Sequence, residues 1–232
     1  PGLRVGVDHE RVDLPLQCVQ GWRIDRRWQG VSLRALYELA GAAEGFRSVY
    51  VHSVSGYHFT NHAYQHLRDE ALLVTHVDGV PLNDEHGFPA RMVVPGLYGY
   101  VSACKWIEDI ELTTFDAYDA YWVKRDWARE APVKTQSRID TPKPFARPRA
   151  GAVMVAGVAW AQNRGIDKVE VRVDDGGWQE TRLAAEDSRD TWRQWSFPWQ
   201  ATRGSHTLTV RATDRTGAVQ TEKRTRTVPD GA

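Results

Sequence analysis

The stretch Lys168-Val-Glu-Val-Arg-Val173 alternates apolar and polar residues, and Asp174-Asp-Gly-Gly177 follows it at once. This alternation is typical of a strand with one buried face, and Asp-Gly and Gly-Gly readily supply the positive φ of a tight hairpin turn. Further candidate strands lie on both sides of the hairpin, at 153–160, 179–183, 191–199, 206–213 and 218–227. Six or more short strands within about eighty residues predict a β-sandwich of immunoglobulin type.

The preceding part of the chain, from Leu14 to Phe115, mixes strand-like runs with short helical patterns. The clearest helix is predicted over Ser32–Gly41, with Ser32 as its cap, and a second over Asn61–Asp69. Strands are predicted at 14–19, 48–54, 72–77, 91–94 and 105–112. Strands and helices joined by long loops predict an α+β fold rather than a doubly wound sheet.

Prolines among basic residues separate the two patterns, which predicts an extended linker at that point. We therefore expect an α+β domain over residues 1–128, a linker over 129–150 and an all-β sandwich over 151–232.

The composition excludes several classes of protein. Thirty basic and thirty acidic residues leave no net charge, which argues against nucleic-acid binding by bulk electrostatics. Two cysteines cannot form a disulfide scaffold, and no stretch has the length and hydrophobicity of a membrane span. The common phosphate-loop, dinucleotide, zinc-protease and serine-hydrolase motifs are all missing from the sequence.

Three histidines repeat every fourth residue, at His58, His62 and His66. On a helix they would share one face and could bind zinc. No nearby carboxylate or cysteine completes a ligand set, so solvated histidines on a surface helix are the favoured interpretation.

A Gly- and Pro-rich segment from Asp84 to Trp106 carries His86, Arg91 and Lys105. Glycines let backbone N–H groups approach an anion, while these three side chains offer a hydrogen-bond donor, a bidentate fork and a point charge. The pattern suits a large phosphate-bearing ligand. An ordinary turn with solvated cations explains it equally well.

Cys18 lies in a short apolar run near the amino end. Its thiolate is a soft ligand suited to a transition metal. A buried small hydrophobe, or a disulfide with Cys104, are the alternative interpretations.

Three motifs in order carry a resemblance to a known family. Leu16-Gln-Cys18-Val-Gln-Gly21-Trp22, followed by Trp28-Gln-Gly30, resembles the cysteine motif of the sulfite oxidase family of molybdopterin enzymes. The run from Val77-Asp-Gly79 through His86-Gly-Phe-Pro89 to Lys105-Trp106 resembles its pterin-binding segment. The sandwich resembles its immunoglobulin-like dimerisation domain.

The resemblance implies that Cys18 is the single protein ligand to a molybdenum atom that a pterin dithiolene also holds. The residues implied to hold the pterin and its phosphate are His86, Arg91, Lys105, Ser102 and Ala103, the last two through backbone donors. Arg23 falls close to a family arginine near the metal.

The sequence departs from the family in three places. Asp126 and Trp127 follow Arg125 where the family has Arg-Asp-Tyr, so that an indole replaces the active-site phenol. Ser55, which we also count among the cofactor-binding candidates, stands where an acidic residue commonly precedes the Gly-Tyr pair of the middle segment. Only seventeen residues precede Cys18, so we expect the family's upstream strands and pterin segment to be missing.

The implied function is molybdenum-dependent two-electron oxygen-atom transfer on a small oxyanion or an S- or N-oxide. The implied partners are a separate electron carrier, either a haem protein or quinone-linked, and a second copy bound through the sandwich. The alternative function is a cofactor-free scaffold that keeps the fold. The implied location is bacterial, extracytoplasmic or membrane-associated through a missing N-terminal part, with the cytoplasm as the alternative.

Overall fold

A computed structural model of the chain describes residues 9–42, 46–56, 58–62 and 70–231. The chain forms two compact units, one made of residues 1–133 and 226–232 and the other of residues 134–225. This division differs from the expected domains. Part of the expected linker is a sandwich strand, and the final segment joins the first unit, where the Ala128 N–H donates to the Pro229 carbonyl (2.8 Å).

The first unit contains two antiparallel sheets. The five-stranded sheet has the order β1-β2-β5-β6, with β7 also paired to β5, and its strands are β1 (His9–Gln17), β2 (Arg23–Ser32), β5 (Leu72–Val77), β6 (Val80–Pro81) and β7 (Arg91–Val93). The three-stranded sheet has the order β4-β3-β8, and its strands are β3 (Ser48–Ser53), β4 (His58–His62) and β8 (Ile107–Thr113).

Alternating residues of the five-stranded sheet form its core. Leu14, Leu16, Leu72 and Val74 pack with Trp28, which is fully buried. The Trp28 indole N–H donates to the Leu14 carbonyl (3.0 Å), so this large side chain has its one polar group satisfied. The strand that precedes Cys18 and the strand that begins at Arg91 are thus anchored to one core.

The helices of the described residues are short: α1 (Leu33–Leu39), α2 (Gly99–Ser102) and a 3-10 turn (Val123–Arg125). The predicted helix at 32–41 is confirmed, because Ser32 Oγ accepts the Ala35 N–H at its start and Gly41 has φ +63° just after its end. None of these helices has the length and hydrophobicity that a bilayer crossing requires.

The predicted helix at 61–69 is wrong at its start, because Asn61 and His62 pair with β3 as part of β4. Pairing along a whole strand overrides the local capping signal of one asparagine. Residues 63–69 lie outside the described residues. Strands dominate the described part of the chain, so the fold is mostly β and the α+β label is not confirmed.

The second unit is a pair of antiparallel sheets around a core that includes Val155, Val169, Trp195 and Phe197. One sheet has the order β13-β14-β10-β9, with β9 (Gln136–Thr141), β10 (Gly151–Trp160), β13 (Arg182–Leu183) and β14 (Arg193–Ala201). The other has the order β12-β11-β15, with β11 (Ile166–Val173), β12 (Gln179–Glu180) and β15 (Leu208–Asp214).

The hairpin at 174–177 is confirmed, since β11 and β12 pair on either side of it. The strand predicted at 218–227 is wrong, because its described residues make only an isolated bridge between Val219 and Thr213. The chain instead turns at Asp214, where the N–H groups of Thr216 and Ala218 donate to one carboxylate oxygen.

That carboxylate is the centre of a buried polar network. Asp214 is 1% exposed, and its Oδ2 accepts from Thr135 Oγ1 (2.6 Å) and Arg164 Nε (2.8 Å). Its Oδ1 accepts from the Thr216 and Ala218 N–H groups (3.0 and 3.1 Å). Burial alone would raise the pKa of Asp214, but the hydrogen bonds outweigh it and hold this pKa well below its ordinary value.

We predict that Asp214→Ala lowers the free energy of unfolding at neutral pH by about 3 kcal/mol or more, because it leaves several buried donors without an acceptor. The network's contribution is present above the unfolded pKa near 4 and is lost as pH falls toward the lower folded pKa. Urea unfolding at neutral pH and at about pH 3 measures both effects, with Asp214→Asn as the matched uncharged control. An unchanged free energy in the alanine variant would contradict the prediction.

Candidate molybdopterin site

Cys18 lies in the turn that joins β1 and β2. Its N–H donates to the Trp22 carbonyl (2.9 Å), and the Gly21 N–H donates back to the Cys18 carbonyl (3.1 Å). The thiol is free and partly exposed. Arg23, the first residue of β2, pairs across the hairpin with Gln17 and makes an ion pair with Asp25 (3.0 Å). Cys18 and Arg23 therefore lie at the same end of the hairpin.

A compact loop at residues 83–89, called here the 83–89 loop, carries His86. The Asn83 carbonyl accepts the N–H groups of His86, Gly87 and Phe88 (3.1, 3.1 and 3.0 Å), and Asn83 Oδ1 also accepts the His86 N–H (2.8 Å). The half-buried His86 ring has no hydrogen-bond partner among the described residues. The loop is therefore held by its backbone while this imidazole stays available.

Arg91, at the start of β7, is buried beneath the 83–89 loop. Its Nη1 donates to the His86 carbonyl (3.2 Å), its Nη2 to the Ala103 carbonyl (3.4 Å), and its guanidinium lies 5.0 Å from the Trp28 ring centre. Nε has no partner in the part of the chain that the structure describes. Burial lowers the pKa of Arg91 to about 10, although it remains a cation at neutral pH.

Lys105 binds the same loop from its other end. Its Nζ donates to the Glu85 carbonyl (3.0 Å) and lies 4.1 Å from the centre of the Trp106 ring. Gly87 has φ +105°, and a Cβ there would sit 2.8 Å from Lys105 Cβ. Only glycine satisfies both conditions, so the loop can lie directly on the Lys105 stem.

Helix α2 connects the cysteine hairpin with these cations. The Gln17 carbonyl oxygen, one residue before Cys18, lies 3.6 Å from the position that a Cβ on Gly99 would take. Ala103 follows the other end of α2 and accepts the bond from Arg91. The structure thus brings His86, Arg91 and Lys105 together around one loop, and places the Cys18 hairpin against the helix beside them.

Ser102, Ala103 and Ser55 lie at the margin of this arrangement. Ser102 Oγ donates to the Leu97 carbonyl (3.2 Å), and the Ala103 N–H donates to the Gly99 carbonyl (3.2 Å). Ser55 shares a hydroxyl contact with Ser53 (2.9 Å) in the turn after β3. The neighbouring Val54 N–H donates to the Trp106 carbonyl (3.0 Å), which brings this turn beside the Lys105 segment.

Trp127 reaches the site region through an aromatic contact that sequence reasoning missed. Its ring lies 4.9 Å from that of Tyr100, a residue of α2 whose hydroxyl donates to the Ala128 carbonyl (3.2 Å). Asp126 ends the 3-10 turn with φ +65°, and no described contact joins its side chain to the other candidates. Tyr100 carries no local sequence signal, because its partners lie far along the chain.

Two alternatives from the sequence fail in the described part of the chain. Cys18 and Cys104 are both free, so the disulfide does not form. His58 and His62 lie on a strand rather than on the expected helix, and His66 is outside the described residues. No cluster of three or more His, Cys, Asp or Glu side chains suited to a metal occurs among those residues.

The two thiols differ in environment, which predicts different reactivity. Cys104 is buried, and burial raises its thiol pKa to about 12, whereas Cys18 is partly exposed on its turn. We predict that iodoacetamide modifies Cys18 alone in the native cofactor-free chain and both cysteines in denaturant, because the thiolate is the reactive species. Mass spectrometry of digested protein locates the label. Equal labelling of both residues under native conditions would contradict this environment.

Comparison with known families covers almost the whole chain. The oxidoreductase molybdopterin binding domain matches residues 6–122, and the Mo-co oxidoreductase dimerisation domain matches residues 127–230. Mitochondrial sulfite oxidase of Mus musculus is 31% identical over 154 residues, 56% of this chain and 28% of that protein. The Homo sapiens enzyme is 29% identical over 164 residues, 61% of this chain and 30% of that protein.

The chain therefore spans less than a third of the length of these two sulfite oxidases. The uncharacterized oxidoreductase YuiH of Bacillus subtilis is 35% identical over 113 residues, 48% of this chain and 56% of that protein.

Among solved structures, the sulfane dehydrogenase SoxCD from Paracoccus pantotrophus superposes with a TM-score of 0.74 at 22% identity, over 94% of this chain and 63% of that one. This likeness establishes the fold. The two matched domains, together with the sulfite oxidase relatives, show that the chain belongs to the sulfite oxidase family of molybdopterin oxidoreductases.

Proposed function

We propose that this chain binds molybdopterin between the Cys18 hairpin and the 83–89 loop, and that it serves two-electron oxygen-atom transfer. The observation that carries the proposal is the buried Arg91. Within the described residues no carboxylate pairs with it, and its Nε has no acceptor. A buried cation in this state is stabilised by an anion that brings both charge and hydrogen-bond acceptors, as a pterin phosphate would.

The neighbouring residues fit the same group. The His86 imidazole offers a hydrogen-bond donor, and Lys105 adds a second positive charge. Gly87 lies against Lys105 and has no side chain of its own, so the backbone of the loop is uncovered at this residue. Cys18 would supply a thiolate, the soft ligand that molybdenum requires from the protein. When bound, the cofactor supplies the remaining sulfur ligands and the two-electron redox chemistry.

The remaining candidates would act on the substrate rather than on the cofactor. Arg23 shares the hairpin with Cys18 and would help to hold an anionic substrate near the thiolate. Trp127 packs on Tyr100 and can only donate a hydrogen bond, so it would exclude water and orient substrate without exchanging a proton. We therefore propose a small oxyanion or an S- or N-oxide as substrate. Asp126 would lie near this substrate, because the turn holds it beside Trp127.

The partners follow from the same chemistry. Two-electron transfer needs a separate electron carrier, and we propose a haem protein or a quinone-linked protein in that role. We also propose that the domain matched over residues 127–230 forms a homodimer, and that the preceding domain alone binds the cofactor. An extracytoplasmic or membrane-associated location of the parent protein stays a prediction.

A cofactor-free scaffold is the second candidate, and specific observations favour it. The Ala103 N–H, which the family resemblance implied as a cofactor donor, is already hydrogen-bonded to the Gly99 carbonyl. An indole also stands in place of the family's phenol. Metal content separates the two candidates, because only the enzyme retains molybdenum through purification.

We predict that the chain, made in a host that synthesises the cofactor, retains about one molybdenum atom, and that Cys18→Ser lowers this content at least about tenfold. The matched control is Cys104→Ser, which removes the other thiol and should leave molybdenum bound. Elemental analysis gives the content, and circular dichroism checks the fold of both variants. Molybdenum retained in full by the Cys18 variant would contradict the ligand assignment, and molybdenum absent from all three proteins would favour the scaffold.

We predict that Arg91→Met changes the free energy of unfolding of the cofactor-free chain by less than about 1 kcal/mol, because the relief of a buried charge offsets two lost hydrogen bonds. The same variant should lose most of its bound pterin, since the counter-charge for the phosphate is gone.

Urea unfolding and fluorescence of the released pterin measure the two effects. Arg47→Met, which removes an exposed arginine of the same unit, is the control and should change neither quantity. If the cofactor-free Arg91→Met variant is unfolded, the role of Arg91 is purely structural and the proposal is contradicted.

A further inference from the structure

The loop that joins β9 to β10, residues 142–150, exposes an aromatic side chain completely. It is called here the 142–150 loop, and its Phe145 is 101% exposed. The ring therefore buries no surface within the chain and adds no packing energy to the fold. One exposed aromatic residue is common on a protein surface, so the backbone beneath this ring and the charges around it decide whether the residue has a role.

The backbone holds Phe145 in a conformation that disfavours a bulky side chain. The Ala146 N–H donates to the Lys143 carbonyl (3.0 Å), which closes a turn with Pro144 and Phe145 at its centre. Phe145 has φ +61°, a value that favours glycine at this position of a turn. Glycine would adopt the same turn without strain, and the ring gives the fold nothing in return. This strained position indicates that the ring acts outside the chain.

The charged residues of the 142–150 loop are all basic. Lys143, Arg147 and Arg149 are exposed and make no ion pair with any described residue. Asp140, which precedes the loop, is already paired with Arg138 (2.9 Å). Three prolines restrict the loop backbone, so ordering these side chains against a partner costs little conformational entropy.

Neighbouring segments place further charges at the same end of the second unit. Gly151 pairs with Ala201, so the loop that follows β14 lies beside the 142–150 loop. This second loop carries Arg203, which is exposed and likewise has no ion pair in the part of the chain that the structure describes. Val173 pairs with Leu208 at the start of β15, so the hairpin turn at 174–177 is at this end as well.

The two carboxylates of that turn differ in their partners. Asp174 Oδ2 lies 2.8 Å from His206 Nδ1, and Asp174 Oδ1 accepts the Thr207 N–H (2.7 Å). Asp175 has no ion pair within the described ranges. The three segments together therefore carry four unpaired cations and one unpaired carboxylate, which gives this end a strong excess of positive charge around an exposed aromatic tip.

We propose that this end of the second unit binds the surface of an anionic phospholipid bilayer. The Phe145 ring enters the boundary between headgroups and acyl chains, where aromatic side chains are favoured. The four cations stay at the level of the lipid phosphates, where each basic side chain adds to the attraction. The proposal concerns this end of the second unit alone and holds whether or not the first unit binds the cofactor.

The combination favours a lipid surface over an acidic protein. The 142–150 loop has no second large apolar side chain beside Phe145, and a protein partner would need a pocket matched to this one protruding ring. A bilayer accepts an apolar ring at any point of its surface. The loop also carries charge of one sign only, which matches a uniformly anionic surface.

Co-sedimentation of the whole 232-residue chain with sucrose-loaded vesicles tests the proposal. We expect binding to phosphatidylcholine vesicles that contain phosphatidylglycerol, little binding to pure phosphatidylcholine, and weaker binding as salt rises. Phe145→Gly should weaken binding by about tenfold, because the apolar tip is lost. Its urea midpoint should not fall, since glycine relieves the positive φ. Phe145→Trp should retain binding.

Two matched arginine variants test the charge. Arg147→Gln should weaken vesicle binding by about fivefold. Arg189→Gln, an exposed arginine in the connection from β13 to β14 at the opposite end of the sheet, is the control and should bind as the wild type does.

A wild-type chain that does not sediment with the anionic vesicles would overturn the proposal. Binding that Phe145→Gly leaves unchanged would also overturn it, because attachment would then need no insertion. A parallel measurement with soluble polyglutamate tests the acidic-protein alternative. Polyglutamate that binds as tightly as the vesicles, with the same sensitivity to Phe145→Gly, would assign this end to an acidic protein partner and contradict the lipid proposal.

Discussion

The buried guanidinium of Arg91 is the constraint on which the candidate site depends. It lies against the Trp28 ring and donates to carbonyls on both sides, that of His86 in the 83–89 loop and that of Ala103 after α2. One side chain thus joins the sheet core, the loop and the helix. Burial lowers its pKa to about 10, because the interior disfavours the charged form, and no carboxylate of the described residues pairs with it.

The sheets give this arrangement its rigidity, while the chemistry lies at the points where strands end. Cys18 occupies the turn after β1, and Lys105 precedes β8. At such positions the backbone is fixed by hydrogen bonds to the sheet, while the side chain can still contact a ligand. The two thiols differ for this reason: Cys104 is buried where its carbonyl accepts the Met92 N–H, whereas Cys18 lies on a partly exposed turn.

The second unit separates core packing from surface chemistry in the same way. One face of its four-stranded sheet packs into the core of the unit, and the other face carries a groove lined by small side chains, including Ala156 and Ser196. The register of β10 with β14 determines which side chains reach that outer face, because neighbouring residues of a strand point to opposite sides. A shift by one residue would bury Met154 and expose Trp195, so core packing and surface chemistry are determined together.

The sequence alone determined the features that depend on local spacing and on motif order. The helix at 32–41, the hairpin at 174–177, the sandwich and the grouping of His86, Arg91 and Lys105 all follow from patterns within short stretches, or from a family resemblance that preserves their order. The tertiary structure alone decided that residues 58–62 form a strand, that 136–141 join the sandwich, and that Trp28 and Tyr100 support the site. These outcomes depend on pairing and burial between residues far apart in the chain, and local propensity is too weak to predict which distant partner wins.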